Sequence, residues 1–296
     1  MLLDAGADYN MCNSYSWSPV LQACSYGHTE IVKMLLDTGA DYNKCHSDGW
    51  SPLWISSRYG FTDIVRMLLD TGSDYNKCDN DGWSPFMAAC KYSDKETVKM
   101  LLDAGADYNK GEDSGWSPLI FASCEGNTEI VRILLDAGAD YNKCDNSGCS
   151  PVLFACGEGY TEIVRMLLHK GADYNYCNNE GWTPVMCACR NGHTEIVRVL
   201  LDIGADYNKY NNQGHSLAMI ASGRGRRDMV RVIHEYFKKE KARQKGSHPK
   251  GRNKRKRLLD SSESDEDVPL ARLKEQIKDN TLMKKRKRSR RSLRKS

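Results

Sequence analysis

The sequence predicts an all-α-dominated solenoid of stacked helix–turn–helix repeats, each carrying a β-hairpin or loop finger, with a disordered basic tail behind it. Two observations carry this expectation. A Ser-Pro pair falls at Ser18-Pro19, Ser51-Pro52, Ser84-Pro85, Ser117-Pro118 and Ser150-Pro151, then as Thr183-Pro184. A closing glycine falls at Gly6, Gly39, Gly72, Gly105, Gly138, Gly171 and Gly204, and both series advance by 33 residues without a slip. A fixed period in this range marks units that stack on one another rather than one closed globule. The second observation is charge. Residues 1–237 hold 20 Lys and Arg against 31 Asp and Glu, a net of −11, whereas residues 238–296 hold 23 against 8, a net of +15. The whole-chain value of +4 conceals that boundary.

The stretch from Gly115 to Asn142 represents the unit. Ser117 before Pro118 is a helix start, because the hydroxyl caps free amides and proline at the first helical position has no amide to lose. Gly126 supplies a left-handed stop, so this first helix is short. Thr128 is expected to cap a second helix, with Glu129 favourably placed against its dipole. Ile130, Val131, Leu134 and Leu135 give that helix one apolar face, and Gly138 ends it. The residues from Asp140 to Gly148 are turn formers and read as an extended finger with a tight turn. Two helices and a finger cannot bury the apolar face alone, so neighbouring copies must cover it.

Full repeats then fall at about 15–47, 48–80, 81–113, 114–146, 147–179 and 180–212. The chain opens inside a repeat, with no polar cap, which predicts a fragment of a longer array. The third full repeat is the weakest: Ser93 replaces the turn glycine, Lys95 the capping Thr and Thr97 a core Ile. Its 91–100 turn is expected to fray first. The last repeat, 213–237, departs from the pattern. His215 stands for Trp, Leu217 stands for Pro, and Arg224, Arg226 and Arg227 coat its turn, as a terminal cap requires. From Gly246 onward few aromatics and high charge predict disorder, apart from a short amphipathic helix marked by Leu270, Leu273 and Ile277.

The repeat resembles the ankyrin repeat. The period, the Ser/Thr-Pro-Leu opening, the Gly-His-Thr-Glu-Ile-Val turn (Gly27 to Val32, Gly192 to Val197) and the closing Leu-Leu-Asp-x-Gly-Ala-Asp-x-Asn carry the resemblance over residues 1 to about 237. This chain departs from the family at two positions. The usual His after Pro-Leu is apolar (Leu21, Trp54, Met87, Ile120, Leu153, Met186), which removes a hydroxyl–imidazole bond between units. The Val of the closing motif is Tyr from Tyr9 to Tyr207. The resemblance implies a protein-binding array whose partner docks in a concave groove. It also implies possible targets of an asparaginyl hydroxylase at Asn43, Asn76, Asn109, Asn142, Asn175 and Asn208.

Other functions find little support. No stretch is long and apolar enough to cross a membrane, and Met1-Leu2-Leu3-Asp4 lacks the start of a secretory signal. Cys12, Cys45, Cys78, Cys144 and Cys177 share one finger position, and Cys24, Cys90, Cys156 and Cys189 sit at small core positions. Such thiols suit a reducing compartment. No Cys-x-x-Cys pair, Gly-x-Ser-x-Gly elbow, phosphate loop or His-Glu-x-x-His is present, so no metal, cofactor, small-molecule substrate or catalytic role is expected.

Recognition is the positive reading. Positions that vary among near-identical repeats are free of the fold's demands. The two residues before the inter-helix glycine vary most: Ser25-Tyr26, Arg58-Tyr59, Lys91-Tyr92, Cys124-Glu125, Gly157-Glu158 and Arg190-Asn191. By the family resemblance these face the groove, with Trp17, Trp50, Trp83, Trp116 and Trp182 on the same side. Aromatics and Arg make protein hot spots; equally, the tryptophans serve to brace the fingers. The groove from Trp50 to Tyr92 is cationic and aromatic, and Glu125 and Glu158 are acidic, so a partner segment with acidic residues at one end fits. In the tail, Lys254-Arg255-Lys256-Arg257 and Lys284-Lys285-Arg286-Lys287-Arg288 read as nuclear-import signals for importin. Nucleic-acid binding and docking on the array's own acidic surface are the alternatives. Ser261, Ser262 and Ser264, within an acidic block ending at Asp267, read as phosphorylation sites able to switch import. The expected location is the nucleus.

Overall fold

The structure, a computed structural model, describes residues 8–92, 95–223 and 226–246. The chain divides into two compact units, Met1–Ala155 and Cys156–Ser296. In the first, the helices come in pairs: α1 (Pro19–Ser25) with α2 (Thr29–Asp37), α3 (Pro52–Tyr59) with α4 (Thr62–Asp70), α5 (Pro85–Tyr92) with α6 (Lys95–Asp103), and α7 (Pro118–Glu125) with α8 (Thr128–Asp136). First helices stack on first helices, α1 on α3 on α5 on α7, and second helices on second helices, α2 on α4 on α6 on α8. Helix α9 (Pro151–Glu158) runs across the division. The second unit holds α10 (Thr161–Lys170), α11 (Pro184–Asn191), α12 (Thr194–Asp202), α13 (Leu217–Gly223) and α14 (Arg227–Gly246), with α10, α12 and α14 stacked and α11 packed on α13.

The local causes are those the period announces. Ser51 Oγ accepts the Trp54 amide at 3.0 Å, Ser117 Oγ that of Ile120 at 3.3 Å, and Thr183 Oγ1 that of Met186 at 3.4 Å. Each is followed by proline at the first helical position. Gly126, at φ +78°, ends α7 in the left-handed region. One expectation is corrected. Thr128 does not cap α8; it is the first helical residue, and Asn127 holds the cap position without a side-chain bond to the helix amides, its Nδ2 donating instead to Cys90 O at 3.4 Å. The turn between the helices is so tight that the Thr128 amide already bonds Gly126 O at 2.9 Å, and its hydroxyl points back to the same carbonyl.

The second helices bury their apolar faces on neighbours. Ile64, Ile130, Ile163 and Ile196 are buried, while the equivalent Ile31, in the first repeat, is 48% exposed. Burial at this position is therefore supplied by an adjoining repeat and not by the residue's own hairpin. Buried thiols fill the first-helix core. Burial pushes the Cys24 thiol up to about 12, and those of Cys90 and Cys156 well above their ordinary range.

Polar bonds also tie each repeat to the next. The side-chain carbonyls of Asn43, Asn76, Asn109 and Asn175 accept the amides of Asp74, Asp107, Asp140 and Asp206 at 2.8–3.5 Å. Successive fingers join the same way. Asn80 donates its backbone amide to Asp48 O at 3.0 Å and its Nδ2 to Ser47 O at 2.9 Å, and Asn146 does likewise to Ser114 O and Asp113 O. Among the described residues the fingers are turns and extended loops; their one bridge of β type pairs Tyr210 with Ser216.

In the third repeat, Thr97 is fully buried, and its hydroxyl lies 3.2 Å from that of Thr62. The polar substitution is thus given a partner by the preceding repeat. Ser93, Asp94 and Arg224 lie outside the described residues. Helix α14 continues beyond Phe237 through the basic residues that follow it and ends at Gly246. The import clusters, the acidic serine block and the 270–277 helix lie outside the described residues.

The close approach of fingers yields a test. Gly115 and Gly72 share φ +88°. A Cβ on Gly115 would come within 2.9 Å of the Asn146 backbone nitrogen, whereas on Gly72 the nearest atom would be the Tyr42 hydroxyl at 3.9 Å. Alanine at Gly72 carries the conformational cost alone, about 1–2 kcal/mol. Gly115→Ala is expected to lower stability further, read as a lower urea midpoint than Gly72→Ala.

Candidate functional site

The tryptophans at the finger bases are placed by the finger turns. Asp79 Oδ1 accepts the amides of Asp81 at 3.0 Å and Trp83 at 2.8 Å. Asn178 does the same for Glu180 and Trp182, and Glu112 Oε1 accepts the Trp116 amide. An acceptor four residues ahead of the ring closes the turn and fixes where the ring leaves the backbone. Burial raises the Asp79 pKa; its two backbone hydrogen bonds oppose the rise, and the nearby charges of Asp81 and Asp113 add to it.

In the first unit the rings meet side chains of the first helices. Trp50 stacks on Trp54 with centroids 5.5 Å apart and planes at 7°, and His46 stacks on Trp50 at 5.1 Å. The Arg58 guanidinium lies 5.6 Å from the Trp54 ring, 5.9 Å from Tyr59 and 4.5 Å from Tyr92. Lys91 Nζ lies 4.9 Å from the same Tyr92 ring, 5.3 Å from Trp83 and 5.5 Å from Phe121. Trp83 packs on Phe121 at 4.4 Å, and Trp116 on Phe121 at 5.2 Å and Phe154 at 4.6 Å. The result is one run of rings in which two cations share a tyrosine.

Tyr59 and Tyr92 are 56% and 46% exposed, so the outer side of this run faces solvent. Among the described residues neither Arg58 nor Lys91 has a carboxylate partner. Each rests on ring faces, contacts worth about 0.5–2 kcal/mol, which hold the cation in place without neutralising it. Beneath them Trp54 is 4% exposed, and its indole N–H meets no acceptor among the described residues.

The structure thus brings together Trp50, Arg58, Tyr59, Trp83, Lys91 and Tyr92, and continues to Trp116. Glu125, at the end of α7, is exposed, and no ring or ion-pair contact joins it to this set among the described residues. In the second unit the Arg190 guanidinium lies 4.9 Å over the Trp182 ring. These two line a cavity of about 430 Å³ with Glu180, Gln213, His215 and Met219. Glu158 is exposed. Asn191 has a second duty: its Nδ2 donates to Gly157 O at 2.6 Å, reaching a carbonyl that no side chain at Gly157 covers. Half of its amide is therefore spent as a brace.

Sequence reasoning missed Trp54, which it took only as an apolar replacement for the usual His, and it did not single out Phe121, Phe154 or His46. The available signal was spacing. Trp54 and Arg58 stand four apart on one helix, a separation that puts side chains on one face.

A family model described as ankyrin repeats (3 copies) matches four overlapping stretches, residues 1–79, 40–112, 86–178 and 153–245. The chain belongs to the ankyrin-repeat family. Ankyrin repeats are typically protein–protein interaction modules and are usually non-catalytic, and the match identifies no catalytic domain. Among solved structures, 569 chains match. One is the crystal structure of the human ASB11 ankyrin repeat domain, at 24% identity and a TM-score of 0.69, covering 74% of this chain and 98% of that one. That likeness shows the ankyrin fold. No curated protein matches the chain in sequence.

Asp79 provides a test of how this ankyrin array sets its tryptophans. Other repeats use Asn13, Asn178 and Asn211 at the same position, with the same pair of amides. Asp79→Asn keeps both acceptor bonds and removes a charge whose burial is unfavourable. Because the folded pKa lies above the ordinary 3.8, the variant's advantage is full above the folded value and shrinks as pH falls toward the ordinary one. Its urea midpoint is expected to exceed the parent's at pH 7 and to converge on it near pH 4.

Proposed function

We propose that the protein is a non-enzymatic ankyrin adaptor. In this reading it holds an acidic segment of a partner protein against the aromatic, cationic face from Trp50 to Trp116. The tail delivers it to the nucleus by engaging importin through Lys254–Arg257 and Lys284–Arg288. The observation that supports the binding surface most is the arrangement around Tyr92. Two cations are fixed on ring faces, lack carboxylate partners among the described residues, and have an exposed aromatic between them. Aromatic anchors beside an oriented Arg are the usual composition of an interface hot spot. A carboxylate arriving there gains charge-assisted hydrogen bonds at positions already prepared for it. Arg190 on Trp182 offers the same chemistry on a smaller scale in the second unit.

The tail's net charge of +15 favours a second reading, in which the tail binds nucleic acid. That binding would weaken steeply with salt, whereas capture of a protein on the repeats would not need the tail.

Arg58→Ala, Tyr59→Ala and Tyr92→Ala combined are expected to abolish capture of the protein partner by full-length chain while leaving its circular dichroism spectrum unchanged. Undiminished capture of the same partner by the triple variant would refute this placement. Loss of nuclear accumulation after neutralising Lys254–Arg257 and Lys284–Arg288 is expected for a fluorescent fusion; unchanged accumulation would refute the import reading.

A further inference from the structure

We infer that the cationic, aromatic face of the first unit is occupied by this chain's own acidic serine block, Glu263 to Asp267, which acts as a tethered competitor of the partner. The inference rests on the binding face proposed above and deepens it by naming an occupant.

The argument is one of complementarity. Arg58 and Lys91 both lie within 5 Å of the Tyr92 ring centroid, and neither has a carboxylate partner among the described residues. A ligand that satisfies both must present two anions close together. An extended segment puts alternate side chains on one face, about 6.5–7 Å apart. Glu263, Asp265 and Asp267 stand at alternate positions and so present such a row when extended. Ser262, Ser264 and Glu266 take the other edge. Residues 238–296 carry 8 acids, and four of them fall within this block. No other part of the tail offers that density.

Tethering supplies the rest. A weak ligand carried on the same chain as its receptor binds intramolecularly, at an effective concentration set by the connection and not by the bulk. A block that binds poorly as a free peptide thus competes strongly as part of the same chain, or of a second copy in a close complex. Phosphate on Ser262 or Ser264, on the outer edge, adds negative charge beside the docked acids and raises the block's overall attraction to the cationic face. The state of these serines then sets how far the face is open to a partner.

The test uses the full-length chain. Carbodiimide joins amines to carboxylates in direct contact, and mass spectrometry is expected to find Lys91 linked to Glu263, Asp265, Glu266 or Asp267. A mixture of isotope-labelled and unlabelled chains tells links within a chain from links between copies; both support the inference. In parallel, hexaglutamate serves as an acidic probe. The variant Glu263→Gln, Asp265→Asn, Glu266→Gln, Asp267→Asn is expected to bind it about tenfold more tightly than the parent, as loss of a tethered competitor requires. Adding Arg58→Ala and Lys91→Ala to that variant is expected to remove the binding. Equal probe affinity in parent and neutralised chain, with no Lys91 link to the block, overturns the inference and leaves the face itself standing. Failure of the neutralised chain to bind the probe, or binding that survives loss of Arg58 and Lys91, overturns the face and this inference with it.

Discussion

Everything in the two units depends on one constraint: a single repeat cannot cover its own second helix. The helices of about nine residues are too short to persist alone in water, and each exposes an apolar face to the next repeat. Val65, Leu68, Val98, Leu101, Val131 and Leu134 are fully buried only because hairpins stack. Polar bonds follow the same logic. The asparagine carbonyls that accept the next repeat's amide are formed between repeats, so they exist only in the stacked array.

Stacking also builds the proposed binding face. No repeat contains both cations that flank Tyr92: Arg58 belongs to one repeat, Lys91 and Tyr92 to the next, and Phe121 to the one after. The contacts of 4.5–5.5 Å that hold Arg58 on Tyr92 and Lys91 on Phe121 are contacts between repeats. The face therefore inherits its geometry from the buried side of the array. A guanidinium bedded on aromatic rings keeps its edge donors available while losing much of its freedom, and that lowers the ordering cost a partner would otherwise meet.

Much of the fold was legible in the sequence because the period is rigid and its punctuation has direct physical causes. Ser-Pro gave the starts of first helices, and glycine gave their ends. The start of the second helix was misread because Thr is a good capping residue in general, and only the tightness of the preceding turn moves it inside the helix. Helix α14 runs on through Lys238 and Lys239 to Gly246, since charge alone does not end a helix whose apolar side, Met229, Val232 and Ile233, is already docked. Of the variable residues before the turn glycine, Lys91 and Arg190 lie against the finger tryptophans Trp83 and Trp182, and Arg58 lies against Trp54. Trp54, Phe121 and Phe154 were harder to see, because a ring in a core position and a ring shared with a cation look alike until the adjacent repeat is in place. The links from asparagine to the next repeat were invisible for the same reason: their partners are 31 residues away.

Hydrogen exchange in a Leu101→Ala chain tests the shared stability most directly. Leu101 is fully buried in α6, and the truncation costs about 2–5 kcal/mol. If repeats hold one another, amide protection falls in α3 and α4 before and in α7 and α8 after the altered repeat, as well as in α5 and α6. Loss of protection confined to α5 and α6, with both neighbours unchanged, would contradict the account.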